Sequence, residues 1–215
     1  MDSYIEPDYS HMALLTIDVQ NDFTLTNAPL EVSGTRAVLS RIRELVLAFR
    51  QSNRPIVHIV RLYLPDGSNA DLCRRKAIEN GKQAVVPNSQ GAELVGEIKP
   101  SADVILDSEK LLSGELQLIA PKEWVVYKPR WGAFFHTPLQ RHLEELNINT
   151  VAICGCNFPN CPRTTVYEAS ERDFRIVFAV DAVSKAYEQG LTEINNIGVA
   201  LLSSAEIIEL IDHQK

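Results

Sequence analysis

A three-layer α-β-α sandwich around a mostly parallel sheet is the fold class predicted for this chain of 215 residues. Short apolar runs that end in polar or Gly-rich turns recur along it, and amphipathic segments of helical period lie between them. A hydrophobic content of 45% over this length is enough for one substantial core, so residues 1–215 are expected to form a single domain.

The elements follow in order. ALLTID (13–18) reads as a buried strand closed by an acid. Residues 35–53 carry Val38, Ile42, Leu45, Val46 and Phe49 at helical spacing. RPIVHIVRLYL (54–64) is a second strand and EWVVYKP (123–129) a third. TPLQRHLEELN (137–147) is a helix, with Pro138 early in it, where a missing N–H costs little. TVAICGC (150–156) is a fourth strand, followed by a helix from Pro162 to about residue 173. FRIVFAVDAV (174–183) is a fifth strand, 191–204 a helix, and AEIIEL (205–210) a short last strand. Between residues 65 and 122 no clean period appears. That stretch is expected to be an elaboration of short helices and loops that shapes a pocket.

Charge and cysteine usage exclude several classes. The formal net charge is −7, and the longest basic tract is CRRK (73–76), so neither nucleic acid nor a membrane surface is an expected partner. The first residues lack a basic n-region followed by an apolar h-region, and no run reaches the roughly 18–20 apolar residues of a membrane span. A soluble cytoplasmic protein is expected. Four cysteines do not make a disulfide framework. Three of them, Cys154, Cys156 and Cys161, fall within VAICGCNFPNCPRTT (151–165). Metal ligands, a disulfide and a reactive thiol are the competing readings. The C-x-C-x4-C spacing without a nearby histidine is a poor zinc knuckle.

In parallel α/β sheets, sites form beyond the carboxyl ends of the strands. The first strand ends at Asp18, the third at Lys128, and the loop after the fourth leads to Cys161. An acid, a base and a thiol are thus expected at one sheet edge. The residue before a proline is pushed out of the α region, which makes Cys161 the N-cap of the following helix and Pro162 its first residue. There the helix dipole, with Lys128 nearby, is expected to lower the thiol pKa. Simple packing is the competing account for Cys161, and the favoured one for Cys154 and Cys156. Turn capping competes for Asp18 and solvation for Lys128.

Three segments, LLTIDVQNDF (14–23), YKPRWGAFFHTPLQRHLEELNINTVAICG (127–155) and GCNFPNCPRTTVYEASERDF (155–174), resemble the isochorismatase-like cysteine hydrolase superfamily, in the right order. The last of them, with RLYLPDGSNADLCRR (61–75), is most similar to the streptothricin hydrolase-like branch. The resemblance implies the isochorismatase-like hydrolase fold and a homodimer or homotetramer. It implies a cysteine-dependent hydrolase that cleaves a small-molecule amide or lactam C–N bond through a thioester. Asp18 matches the general base, Lys128 the triad lysine and Cys161 the nucleophile. The Cys156–Asn157 bond matches a cis peptide, and the Asn157 and Cys161 N–H groups match the oxyanion hole. Phe158-Pro159 and Pro162 depart from the common pattern and reshape that loop. No metal or other cofactor is expected, because HIVRLYLPDG lacks the Asp-x-His…His set of metal-dependent nicotinamidases.

Phe23, Trp131, Phe134, Phe135 and Phe158 are the candidate substrate-binding aromatics, with core packing the alternative for each. His136, Arg61, Asp66 and Arg130 are further polar candidates that surface solvation also explains. Two rival functions remain at this stage. One is a vinyl ether hydrolase of isochorismatase type, which needs no cysteine nucleophile; the other is a non-catalytic or redox-responsive binding protein on the same scaffold.

Overall fold

A computed structural model describes residues 3–213. After a 3₁₀ turn at Tyr9–His11, the chain forms β1 (Met12–Ile17), α1 (Asn21–Thr24), α2 (Thr35–Gln51), β2 (Ile56–Val60), α3 (Leu72–Glu79), α4 (Ser108–Leu112), β3 (Gln117–Ala120) and β4 (Glu123–Tyr127). It continues with α5 (Leu139–Glu145), β5 (Thr150–Gly155), α6 (Cys161–Ser170), β6 (Arg175–Val183), α7 (Glu188–Asn195), β7 (Ala200–Leu202) and α8 (Ser204–Asp212). The seven strands make one sheet in the order β3-β4-β2-β1-β5-β6-β7. Only the β3–β4 pair is antiparallel. Helices cover the sheet, which is the three-layer architecture read from the sequence.

The central strands β1, β2 and β5 are buried along their whole length, as continuous apolar runs demand when both sheet faces are covered. Helix α2 buries Leu39, Ile42, Leu45, Val46, Ala48 and Phe49, while Val38 is only half-buried, so the apolar stripe is turned slightly from the expected one. Among the described residues no helix is long and apolar enough to cross a membrane.

Three expectations fail. Residues 205–210 lie in a helix, because Ser203 and Glu206 form a reciprocal capping box at the start of α8. The helix expected over 191–204 stops at Asn195, after which Gly198 takes φ 89° and the chain turns into the short strand β7. The elaboration holds a strand, β3, besides its helices. Four half-exposed residues at a sheet edge carry too little pattern to be seen in the sequence.

A buried polar network ties the sheet to α2. Thr16 bonds His58 Nδ1 at 2.7 Å, His58 Nε2 meets Glu123 Oε1 at 2.8 Å, and Arg50 donates to both Glu123 oxygens at 2.6 and 2.7 Å. Burial alone would raise the Glu123 pKa, but the Arg50 and His58 hydrogen bonds outweigh it and hold the carboxyl at about 2. A folded-state pKa below the unfolded one stabilises the fold above the unfolded value, and the gain is lost as pH falls through the folded value. The difference corresponds to about 3 kcal/mol. Urea unfolding of the wild type is therefore expected to lose that stability between pH 4.5 and 2. The Glu123→Gln variant should be less stable at pH 7 by a similar amount and lack this slope; equal slopes would show that Glu123 does not carry it.

Candidate active site

Strand register builds the site. Ile17 pairs with Ile59 and Gly155, and Val60 pairs with Tyr127. Lys128, Arg61, Asp18 and Cys156 therefore leave the ends of β4, β2, β1 and β5 within about one residue of a common row. The ladder holds them there: Asp18 N–H donates to Ile59 O at 2.9 Å, Lys128 N–H to Val60 O at 3.0 Å, and Cys156 N–H to Ile17 O at 2.9 Å. Asp18 takes φ 53°, a left-handed conformation that Asp tolerates, so β1 ends abruptly at the carboxylate. Gly155, with φ 119°, has no room for a Cβ against the Ile17 backbone, which lets β5 pass close to that turn.

Lys128 Nζ donates to Asp18 Oδ2 at 3.0 Å. Both are buried, at 0% and 3% exposed, and neither charge would survive there without the other. Asp18 Oδ1 has no hydrogen-bond partner of ordinary geometry among the described residues. The Cys161 thiol lies close enough to Asp18 to feel its charge and a side-chain hydrogen bond. Asp18, Cys161, Cys156 and Asn157 line one cleft of about 360 Å³, its open mouth included.

The thiol is not acidified. Desolvation raises its pKa most, Asp18 raises it further, and Lys128 and Arg61 pull it back only in part, leaving it at about 12. This runs against the lowering expected from the helix N-terminus: desolvation and the Asp18 charge are the largest influences on the thiol. Helix α6 starts at Cys161, so Asn160 is its N-cap and Pro162 its second residue, one position from the expected register. The Cys156–Asn157 peptide bond is cis. Neither the Asn157 nor the Cys161 backbone N–H donates a hydrogen bond among the described residues. Both residues line the cleft, so two backbone donors without protein acceptors belong to its wall.

The aromatic candidates separate. Phe23 and Trp131 line the cleft. The other three are corrections. Phe134 is buried against Phe174 with Arg172 over its ring, and Phe158 is buried against Phe178 and Tyr187; for both, apolar packing wins. Phe135 is exposed and stacks on His136, away from the cleft lining. Asp66 is exposed and holds its own turn through Ser68, and Arg130 bonds backbone carbonyls at the surface.

Arg61 is buried in the cleft wall. It donates to the Tyr63 hydroxyl at 3.0 Å, to Asp71, and to Lys128 O at 3.4 Å. Tyr63, Asp71, Arg74 and Asn160 line the cleft as well, and the sequence reading missed them. Their signal was weak. Tyr63 follows Arg61 at strand spacing, and Asp71 precedes an eight-residue helix in a stretch without period. Cys154 is buried in β5 and its pKa is raised by desolvation alone, as a packing residue's would be.

The model of the isochorismatase domain matches residues 12–113 and 107–206. The chain belongs to the isochorismatase family. An isochorismatase family protein of Desulfovibrio vulgaris superposes with a TM-score of 0.79 at 26% identity, covering 94% of this chain and 98% of that one. An Arabidopsis thaliana protein described as a probable inactive nicotinamidase is 28% identical over 89% of this chain and 91% of its own length. A ureidoacrylate amidohydrolase of Methylobacterium radiotolerans is 25% identical over 83% of this chain and 69% of its own.

The raised thiol pKa has a direct consequence. Alkylation of Cys161 by iodoacetamide, followed by peptide mass spectrometry, is expected to be slow at pH 7 and still rising above pH 9. Asp18→Asn should move the midpoint down, since it removes the charge that opposes the thiolate. A wild-type midpoint below pH 7 would contradict this electrostatic account.

Proposed function

We propose that this member of the isochorismatase family is a cysteine-dependent amidohydrolase that cleaves a C–N bond of a small amide or lactam through a thioester. One observation carries the reading: the buried Asp18 accepts from Lys128 through Oδ2, its Oδ1 has no protein partner, and the Cys161 thiol shares the cleft lining with it, near enough to feel its charge. The related ureidoacrylate amidohydrolase is consistent with it.

In this mechanism the substrate carbonyl enters beside Cys161, and Asp18 takes the thiol proton as sulfur attacks carbon. The resting thiol is neutral, so proton transfer accompanies attack. The oxyanion is received by the Asn157 and Cys161 N–H groups; one such donor contributes about 3 kcal/mol to lowering a barrier of this kind. Asp18 returns the proton to the leaving nitrogen as the C–N bond breaks. A water then loses a proton to Asp18 and adds to the thioester, and the C–S bond breaks as sulfur recovers that proton. Lys128 stays charged throughout and keeps Asp18 ionised between steps. A non-catalytic reading, which the plant relative's description as inactive favours, is decided by the same experiment as the amidase reading.

That experiment is a screen of small primary amides, lactams and carbamoyl compounds, nicotinamide and streptothricin included. Against the amide that is turned over, Cys161→Ala is expected to lower kcat by at least about a thousandfold, with an unchanged far-UV circular dichroism spectrum. Lys128→Met should lower kcat strongly as well, since it leaves Asp18 buried without its cation. Full turnover by the Cys161→Ala protein would exclude covalent catalysis, and a vinyl ether as the only substrate class hydrolysed would move the assignment to the ether hydrolases.

A further inference from the structure

The charged residues that line the cleft, Asp18, Asp71, Arg61 and Arg74, are not all paired with one another. Lys128 is matched by Asp18, and Arg61 by Asp71. The other cation in the lining, Arg74, has no such partner: among the described residues its guanidinium makes no hydrogen bond and no ion pair, and its charge acts on the Tyr63 hydroxyl. The side chain is half-buried. The whole chain carries a formal charge of −7, so an unpaired guanidinium in this cleft runs against the sign of the molecule.

The surroundings hold Arg74 where it is. It lies in the first turn of α3, whose preceding residue, Asp71, is fixed to the rim by Arg61 and by the Tyr63 hydroxyl at 2.9 Å. The Arg61 backbone is itself locked, its N–H donating to Gln20 Oε1 at 2.8 Å and its carbonyl accepting from Gln20 Nε2 at 2.9 Å. Rigid, already satisfied groups thus present one unsatisfied guanidinium. A planar fork of N–H donors fits a carboxylate in two-point contact, and the partly desolvated cleft strengthens such a pair.

We propose that Arg74 is a specificity-determining residue that binds a carboxylate on the substrate, so that the preferred substrate is a small amide carrying a carboxylate on the part remote from the scissile C–N bond. The inference rests on the amidohydrolase reading above for the reaction, and on the Arg74 environment for the anion. Arg61 acts through Asp71 as a positioning residue for α3. Trp131 and Phe23 supply the apolar wall along the carbon chain between the two polar ends.

The test uses a charge-matched pair, succinamate and its neutral twin succinamide, with succinate as an unreactive ligand. The wild type is expected to show a kcat/KM ratio of succinamate over succinamide of at least tenfold. Arg74→Ala should bring that ratio near one, mainly through KM, and Arg74→Lys should restore part of it. Succinate should bind the wild type at least tenfold more tightly than Arg74→Ala in calorimetry, and the difference should shrink at high salt. Calorimetry needs no turnover, so a protein that binds succinate through Arg74 but hydrolyses neither amide would overturn the amidase reading and keep the anion subsite. Neutral amides hydrolysed as well as their charged twins, or succinate bound equally by wild type and Arg74→Ala, would overturn the Arg74 proposal and leave the amidase reading standing.

Discussion

The site depends on a buried ion pair, Asp18 with Lys128. Two opposite charges at 0% and 3% exposure persist only because each cancels the other's desolvation cost. The sheet makes the pair possible. Parallel strands in register deliver one residue from the end of β1 and one from the end of β4 to the same edge, although 110 positions separate them in the chain. The pair leaves one carboxylate oxygen without a protein partner, and the first turn of α6 brings the Cys161 thiol into the same cleft lining.

The electrostatics of that thiol shape the chemical account. A thiolate beside the Asp18 carboxylate would be costly, and in the proposed mechanism the sulfur stays protonated until a carbonyl carbon is there to accept its electrons. In that proposal attack depends on Asp18 as base and on the Asn157 and Cys161 N–H groups receiving the oxyanion, rather than on a low thiol pKa. Resistance of the resting thiol to adventitious alkylation or oxidation follows from the same arrangement.

Much of this was legible in the sequence, for identifiable physical reasons. ALLTI and TVAICG are mostly apolar and wholly buried because both faces of their strands are covered, and the acid and thiol beyond them are conspicuous against those runs. The converse cases are also physical. AEIIEL has an apolar run short enough for either a strand or a helix, and only the Ser203–Glu206 capping box decides it. Phe134 and Phe158 lie beside site residues in sequence, yet the chain turns them into the core, where their full area is buried. Asp71 and Arg74 escaped notice because they sit at the start of a short helix in an aperiodic stretch, and Asp71 is held by contacts to Arg61 and Tyr63 that no local pattern encodes. The direction of the Cys161 shift was missed because the helix-dipole argument counts a local field and omits desolvation, a property of the assembled fold.

The central claim is that the Cys161 sulfur forms a bond to the substrate carbonyl carbon while Asp18 carries the proton. Rapid-quench intact-mass spectrometry during turnover of an accepted amide tests it most directly. The account predicts a protein species heavier by the acyl group, mapped to the peptide containing Cys161 and formed together with a burst of released amine. Sustained turnover with no such adduct at any quench time, and with the same rate in a protein whose position 161 is alanine, would contradict it.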